Sequence, residues 1–220
     1  MIIAVDGPAG AGKSTVARKL AMKIGFTYLD TGAMYRALTL KALEQGIDFQ
    51  DTRRLAKMAS ETAVDLQYGG DGSLKVLLDG KDVSFEIRQP RITRVVSDLA
   101  KVKEVRQVLV EIQRRLGRSK DSILDGRDIG TYVFPDAEIK FYIDAGPKER
   151  AKRRYLELKG ANPGLKMEDV AQDLKNRDNI DSTREFAPLR RAPDAVYIDT
   201  TGIGIEEVVA RMSAALADRK

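Results

Sequence analysis

Met1-Ile-Ile-Ala-Val-Asp-Gly-Pro-Ala-Gly-Ala-Gly-Lys-Ser-Thr15 is the stretch on which the fold turns. Ile2 to Val5 is a short apolar run with the look of a buried strand, and it leads directly into Gly7 to Ser14, which fits G-x-x-x-x-G-K-[ST]. A loop of this composition cradles phosphate. Gly7, Gly10 and Gly12 let the backbone take positive φ and turn N–H groups inward, with Pro8, Ala9 and Ala11 as the spacers between them. Lys13 adds a point charge for β and γ phosphates, and the Ser14 hydroxyl can complete the shell of a nucleotide-bound Mg²⁺. From Thr15 to Ile24 the apolar residues Val16, Leu20 and Ile24 predict a helix whose positive end faces the same anion.

Outward from this stretch, strands alternate with helices. Phe26 to Leu29 reads as a strand that ends in Asp30-Thr31-Gly32, before a helix from about Ala33 to Glu44 stopped by Gly46. Asp51 or Thr52 caps a helix through Ser60. Between Thr62 and Ile87 the texture changes to short β-type runs at Val64 to Tyr68, Leu74 to Leu78 and Val83 to Phe85, separated by Gly-Gly-Asp-Gly and Asp-Gly turns, which predicts a small antiparallel insert. One helix is expected from about Ile92, with Val102, Val105, Leu109, Ile112 and Leu116 as its core face and Gly117 as its stop. Ser122 to Asp125 and Glu138 to Asp144 are further strands; Pro147 opens a basic helix with Arg150, Arg153 and Arg154, and Lys159 to Gly164 is a break. A helix from about Glu168 places Arg177, Asp181 and Arg184 on one stripe, and Ala195 to Asp199 and Ile205 to Leu216 are the last strand and helix.

This alternation makes the fold class α/β: a three-layer arrangement with a central parallel sheet, and ligands outside the carboxyl ends of its strands. One unit over residues 1–220 is expected, with a core of about 1–61, 90–147 and 165–220, an insert of about 62–89 and a lid of about 148–164. The rim then collects Gly7 to Ser14, Asp30 to Gly32, Asp125 to Asp128 and Asp144.

Composition narrows the chemistry. The 220 residues include no cysteine and no histidine, which removes disulfides, thiolate or imidazole metal sites and histidine acid–base catalysis. No stretch reaches the roughly 18 apolar residues of a membrane span, and the start lacks a basic leader, so a cytoplasmic protein without a membrane partner is expected. A net charge of +5 suits either nucleic acid or small anions. Nucleic acid is disfavoured because the basic residues sit in rim motifs and aromatics are only 6% of the chain, too few for a run of stacking platforms.

What receives the phosphoryl group is suggested by guanidinium groups at or beside the rim: Arg36, Arg88, Arg106, Arg127, Arg150, Arg153, Arg154, Arg177 and Arg184. Phosphoryl transfer needs alignment and charge neutralisation more than covalent chemistry, and several forks around one spot supply both. No Asn-Lys-x-Asp tetrapeptide is present to read guanine.

Gly-Pro-Ala-Gly-Ala-Gly-Lys-Ser, Asp30-Thr-Gly-Ala-Met-Tyr-Arg36, Asp125-Gly-Arg-Asp-Ile-Gly-Thr131 and Arg177-Asp-x-x-Asp-x-x-Arg184 with Ala187-Pro-Leu189 closely resemble the bacterial cytidylate kinases, in order over residues 7 to 189. The resemblance implies ATP and (d)CMP giving ADP and (d)CDP with Mg²⁺, in a monomer with a core, a nucleoside-monophosphate insert and a lid. It implies nucleotide contacts from Gly7 to Thr15. By position, Arg36, Arg127 and Arg184 resemble ligands of the CMP phosphate, Ser97, Arg106 and Asp128 the cytosine readers, and Arg177 and Asp181 the pentose contacts. Thr31 stands where many relatives have serine, keeping the hydroxyl and adding a methyl group. Asp98-Leu-Ala-Lys-Val-Lys-Glu104 departs from the proline-containing version of several relatives, so Arg106 depends on helix phase.

Physical chemistry supports the base assignment. Cytosine offers an N4 donor with N3 and O2 acceptors, which a carboxylate or hydroxyl together with an arginine can read directly. Uracil reverses positions 3 and 4, leaving a buried carboxylate against a carbonyl, a mismatch worth about 10² in selectivity. The acceptor monoester, with a second pKa near ~6, is mostly a dianion at pH 7 and needs no general base. Lys13 with Arg127 and the lid arginines Arg150, Arg153 and Arg154 would then stabilise the transferring charge. Another small-acceptor kinase, of uridylate or shikimate type, is the alternative, and a nucleic-acid-binding ATPase a more distant one.

Overall fold

β1 (Ile2–Asp6) is the middle strand of a five-stranded sheet, and its residues Ile3, Ala4 and Val5 are wholly buried, as expected of a strand covered on both faces. In this computed structural model, which describes residues 1–68, 74–160, 162 and 164–217, the sheet order is β2 (Thr27–Asp30), β6 (Ser122–Asp125), β1, β7 (Ile139–Asp144), β8 (Val196–Asp199). β1 pairs in parallel with β6 on one side and β7 on the other, and β7 with β8. Their carboxyl ends therefore share one edge, with Asp125 opposite Val5 and Asp6 opposite Tyr142.

The described chain forms two compact units, Met1–Tyr28 with Lys120–Lys220, and Leu29–Ser119. In the first, α1 (Lys13–Ile24) packs on β1, β6 and α8 (Ile205–Ala217), while α6 (Pro147–Leu158) packs on α7 (Met167–Thr183). Helix α1 begins two residues earlier than the sequence pattern suggests, because Gly12 takes φ 89° and turns the chain straight into the helix. Pro147 does open α6 at its first turn, where a missing N–H costs nothing.

In the second unit, α2 (Thr31–Glu44) starts as soon as β2 ends, capped by the Asp30 carboxylate, which accepts from the Ala33 N–H at 2.8 Å. α3 (Thr52–Ser60) is capped by Asp51 as its sequence predicts. β3 (Val64–Tyr68) and β4 (Leu74–Leu78) pair antiparallel, with Leu74, Val76 and Leu78 of β4 buried on one face. The Gly69 to Gly72 turn lies outside the described residues. The third strand, β5, is only Lys81–Asp82, not Val83 to Phe85: Val83 is buried, but a 3₁₀ turn over Glu86–Arg88 follows and Phe85 is exposed.

The expected single helix from Ile92 to Leu116 is two. α4 (Pro90–Ala100) and α5 (Lys103–Arg118) meet at Val102, whose extended backbone (ψ 114°) starts a new helix. Restarting rotates the core face to Val105, Leu109, Val110 and Gln113 together with Arg106, while Ile112 and Leu116 are only half-buried. Gly117 does not stop α5; it is buried inside the last turn, which ends at Arg118.

Phe141, in β7 opposite Val5 of β1, is among the largest fully buried side chains. Phe141→Ala is expected to destabilise the chain by about 3–5 kcal/mol, read as a fall in the urea midpoint.

Candidate active site

The loop between β1 and α1 owes its shape to close approach. Gly7 has φ 144°, and a Cβ there would lie 1.9 Å from the Ile143 carbonyl oxygen, so the chain leaves β1 pressed against β7. Gly10 (φ 77°) and Gly12 (φ 89°) make the further turns that L side chains rarely adopt. Helix α1 thus opens on an N-cap without a side chain, the setting in which an anion satisfies the first N–H groups.

Lys13 lies buried within this loop, donating to the Pro8 carbonyl at 2.6 Å. Burial pushes its pKa well below the ordinary lysine value, and the guanidinium groups of Arg127 and Arg177 push it the same way against Asp125 and Asp6. A polyanion in the cradle would reverse that balance and favour the charged ammonium. The Ser14 hydroxyl donates to Asp125 Oδ2 at 2.6 Å, and Tyr28 donates to Asp125 Oδ1 at 2.8 Å. A hydroxyl and a carboxylate side by side are the hard oxygen donors that suit Mg²⁺, which is usually held by one or two protein oxygens together with phosphates and water. In the sequence Asp125 stood at a strand end and at the head of the Asp125–Thr131 motif, without a role of its own. Its partnership with Ser14 comes from β6 lying next to β1.

After β6, Arg127 and Asp128 lead into a five-residue π-helical turn, Ile129–Val133, that nothing in the sequence announced. Asp6 fixes the start of this turn. Its two carboxylate oxygens accept from the N–H groups of Ile129 (2.8 Å) and Gly130 (2.7 Å). Burial pushes the Asp6 carboxyl up to about 7, although both N–H groups favour the charged form.

The carboxylates of α7 and the arginines interlock. Arg127 Nε donates to Asp181 Oδ2 at 2.9 Å, and its Nη1 to the Gly126 carbonyl at 3.2 Å. Burial opposes the charge of Asp181, but Arg127, Arg177 and Arg184 outweigh it and hold its pKa below the usual carboxylate range. Arg127 in turn is pulled above its ordinary value: burial opposes this, and Asp181 prevails. Arg184 is not on the helical stripe. It is the residue at which α7 ends, and its Nε donates to the Ala187 carbonyl at 2.8 Å, with Nη2 reaching Asp128 Oδ1 at 3.3 Å. Ala187 itself has φ 49°, so this loop bends back on Arg184.

Of the three α6 arginines expected at the site, Arg150 and Arg153 reach the glycine-rich loop. Arg150 donates from Nε to the Ala145 carbonyl at 2.9 Å and from Nη1 to the Ala9 carbonyl at 3.0 Å. Arg153 donates from Nη1 to Thr200 Oγ1 at 2.9 Å and from Nη2 to the Thr200 carbonyl, while the Thr200 hydroxyl donates to the Ala11 carbonyl at 3.2 Å. Arg154 pairs with Glu157 on the surface at 2.9 Å. Thr200 had no signal in the sequence, and Asp178 stood there only as a member of the Arg177-Asp-x-x-Asp-x-x-Arg184 motif without a role, because what each holds depends on how α7 and the loop after β8 return to the β1 edge.

The second unit holds Thr31, Arg36, Ser97 and Arg106. Thr31 is buried at the first position of α2, and Arg36 Nη2 pairs with Asp30 Oδ2 at 3.1 Å. A Cβ on Gly32 would lie 3.0 Å from Arg36 Nη1, so Gly32 makes room for that guanidinium. Ser97 is buried on α4. Arg106, buried on α5, donates to the Ala100 carbonyl at 3.2 Å and lies 5.3 Å over the Tyr35 ring.

Comparison with known proteins is consistent with this geometry. The sequence model of the cytidylate kinase family matches residues 3–218. The chain belongs to the cytidylate kinase family. It is 50% identical to the cytidylate kinase of Caldanaerobacter subterraneus subsp. tengcongensis over 97% of its own length and 93% of the relative's. It is likewise 50% identical to that of Clostridioides difficile, over 95% and 94%. A solved structure of an uncharacterized protein from Eubacterium ventriosum shares the fold, with a TM-score of 0.55 at 12% identity over 99% of this chain and 98% of that one.

The Asp6 carboxyl binds its proton more tightly in the folded chain than unfolded, so its contribution to stability is full below about pH 4 and is lost as pH rises through about 7. The melting-temperature difference, wild type minus Asp6→Asn, is expected to fall between pH 4 and 7 and then level off.

Proposed function

We propose that this chain transfers the γ-phosphoryl group of ATP to CMP or dCMP, forming ADP and CDP or dCDP in pyrimidine nucleotide metabolism. The observation that carries the reading is the glycine cradle with buried Lys13, set at the same sheet edge as the Arg127–Asp181–Arg184 cluster, in a chain of the cytidylate kinase family. One side supplies N–H groups and an ammonium for a polyphosphate; the other supplies guanidinium forks for a phosphate monoester.

In this reading Gly7 to Thr15 bind the ATP phosphates, and Ser14 with Asp125 holds Mg²⁺, which when bound neutralises charge on the β and γ phosphates. Arg36, Arg127 and Arg184 are the ligands of the CMP phosphate, and Thr31 is a further substrate contact. Ser97, Arg106 and Asp128 read cytosine, and Arg177 with Asp181 holds the pentose. Before substrate arrives, Asp181, Asp128 and Asp30 partner these arginines, so their guanidinium groups are aligned at little entropic cost. Lys13, Arg127, Arg150, Arg153 and Arg154 stabilise charge on the transferring group, and no carboxylate serves as a general base because the acceptor is already a dianion. Residues of about 62–89 act as the monophosphate-binding insert and about 148–164 as the lid, around a core made of the rest. In this reading the chain works as a cytoplasmic monomer on small dissolved anions, without membrane or nucleic acid. Among the described residues no helix is long and apolar enough to cross a membrane.

A coupled ADP-release assay comparing CMP, dCMP, UMP and shikimate tests the reading. Rapid turnover with CMP and dCMP is expected, and turnover with UMP or shikimate but not CMP would overturn it. Asp128→Ala should narrow the preference for CMP over UMP, wild-type selectivity being about 10² or more. Lys13→Ala should lower kcat by about 10² or more, in single-turnover as well as steady-state measurements. A change confined to KM would reduce Lys13 to a ground-state ligand.

A further inference from the structure

Ala9, the third residue of the glycine-rich loop, is held at its methyl group, its carbonyl and its N–H by groups from α6 and α7. Its methyl group packs in a buried cluster with Ala151 of α6 and Val170 and Leu174 of α7. Its carbonyl accepts from Arg150 Nη1 at 3.0 Å, and its N–H donates to Asp178 Oδ1 at 3.2 Å. The other oxygen of the same carboxylate, Oδ2, accepts from Arg150 Nη1, closing a ring of Ala9, Asp178 and Arg150. The next residue, Gly10, has φ 77°, and a Cβ on it would lie 3.1 Å from the Arg150 carbonyl, so the loop has little room to shift at this point.

We propose that Asp178 is a positioning residue for the ATP side of the reaction: it fixes both the Ala9 backbone and the Arg150 guanidinium, and so sets the shape of the phosphate cradle. Neither the loop pattern nor the contacts expected for CMP include it. The proposal rests on the reading of Gly7 to Ser14 as an ATP cradle. The physical reason is that a nest of N–H groups binds phosphate well only when its backbone is already shaped, and glycine at 7, 10 and 12 leaves this backbone little stiffness of its own. A carboxylate accepting from a backbone N–H and a guanidinium supplies the missing constraint with two charge-assisted hydrogen bonds. Its neighbour one turn on along α7, Asp181, pairs instead with Arg127. Asp178 bonds directly to Ala9 and Arg150 and reaches Arg127 only through its charge, so its loss acts first on ATP, whereas a displaced α7 would act on CMP to the same degree.

The test compares wild type, Asp178→Ala, Asp178→Asn and, as a control on the exposed face of α7, Asp173→Asn. ATP affinity is measured by calorimetry without acceptor, and KM for ATP, KM for CMP, kcat and melting temperature are measured alongside. Asp178→Ala is expected to weaken ATP binding about tenfold and to raise KM for ATP to match, with KM for CMP within about twofold. Asp178→Asn keeps an acceptor for the Ala9 N–H but loses the charge facing Arg150, so it should fall between; Asp173→Asn should match wild type. If Asp178→Ala does not fold, the isosteric asparagine variant decides alone. Unchanged ATP affinity in the folded variant overturns the proposal, as does a parallel loss of ATP and CMP affinity, which would mean a purely structural role. Wild-type protein that binds ATP yet phosphorylates no CMP would refute the acceptor reading and leave the role of Asp178 to the calorimetry. Failure of the wild type to bind ATP would overturn both.

Discussion

At Gly7 the backbone runs so near the neighbouring strand that a methyl group would overlap the Ile143 carbonyl oxygen, 1.9 Å from where its carbon would sit. The rest of the candidate site follows from that approach. Because the chain leaves β1 hard against β7, it must double back through positive φ at Gly10 and Gly12 to begin α1 at Lys13. That return places Lys13 Nζ inside its own loop and Ser14 beside Asp125 of the strand on the other side. Parallel pairing with β6 and β7 then supplies both walls at one edge, since parallel strands end together.

Charge is the second organising constraint. The chain is basic overall, yet around Lys13 the basic groups are balanced residue by residue. Asp181 takes Arg127, Asp178 takes Arg150, and Asp128 takes Arg184. An isolated buried guanidinium would carry a heavy desolvation penalty, and a carboxylate partner offsets it while fixing the direction of the fork. Lys13 has no such full compensation, and its pKa is driven down by burial and by Arg127. A negative charge placed in the cradle would push that pKa back up.

Backbone acceptors share this work. The Ala9 and Ala11 carbonyls and the Thr200 hydroxyl take up Arg150 and Arg153, tying α6 and the loop after β8 to the cradle. Two of the arginines proposed to steady the transferring group, Arg150 and Arg153, thus also hold the loop, with Asp178 closing the ring. A two-fold role of this kind is possible because a guanidinium has five donors, enough for a carbonyl and an anion together.

The sequence alone determined the class of fold, the phosphate cradle and the residue types at each strand end. These are local: Gly-rich spacing, apolar runs and caps such as Asp30 and Asp51 act within a few residues of where they are written. It misread α4 and α5 as one helix because the three-and-four spacing of apolar residues continues past Val102, and only packing in three dimensions shows that the backbone restarts there and turns Arg106 inward. The π-helical turn, the hold of Asp6 on its first two N–H groups, the Ser14–Asp125 contact and the Ala9–Asp178–Arg150 ring were decided by tertiary structure. Their partners lie far apart in the chain, 123 positions for Asp6 and Ile129 and 169 for Ala9 and Asp178, and no local pattern reports which strand edge will bring two such groups within hydrogen-bond distance.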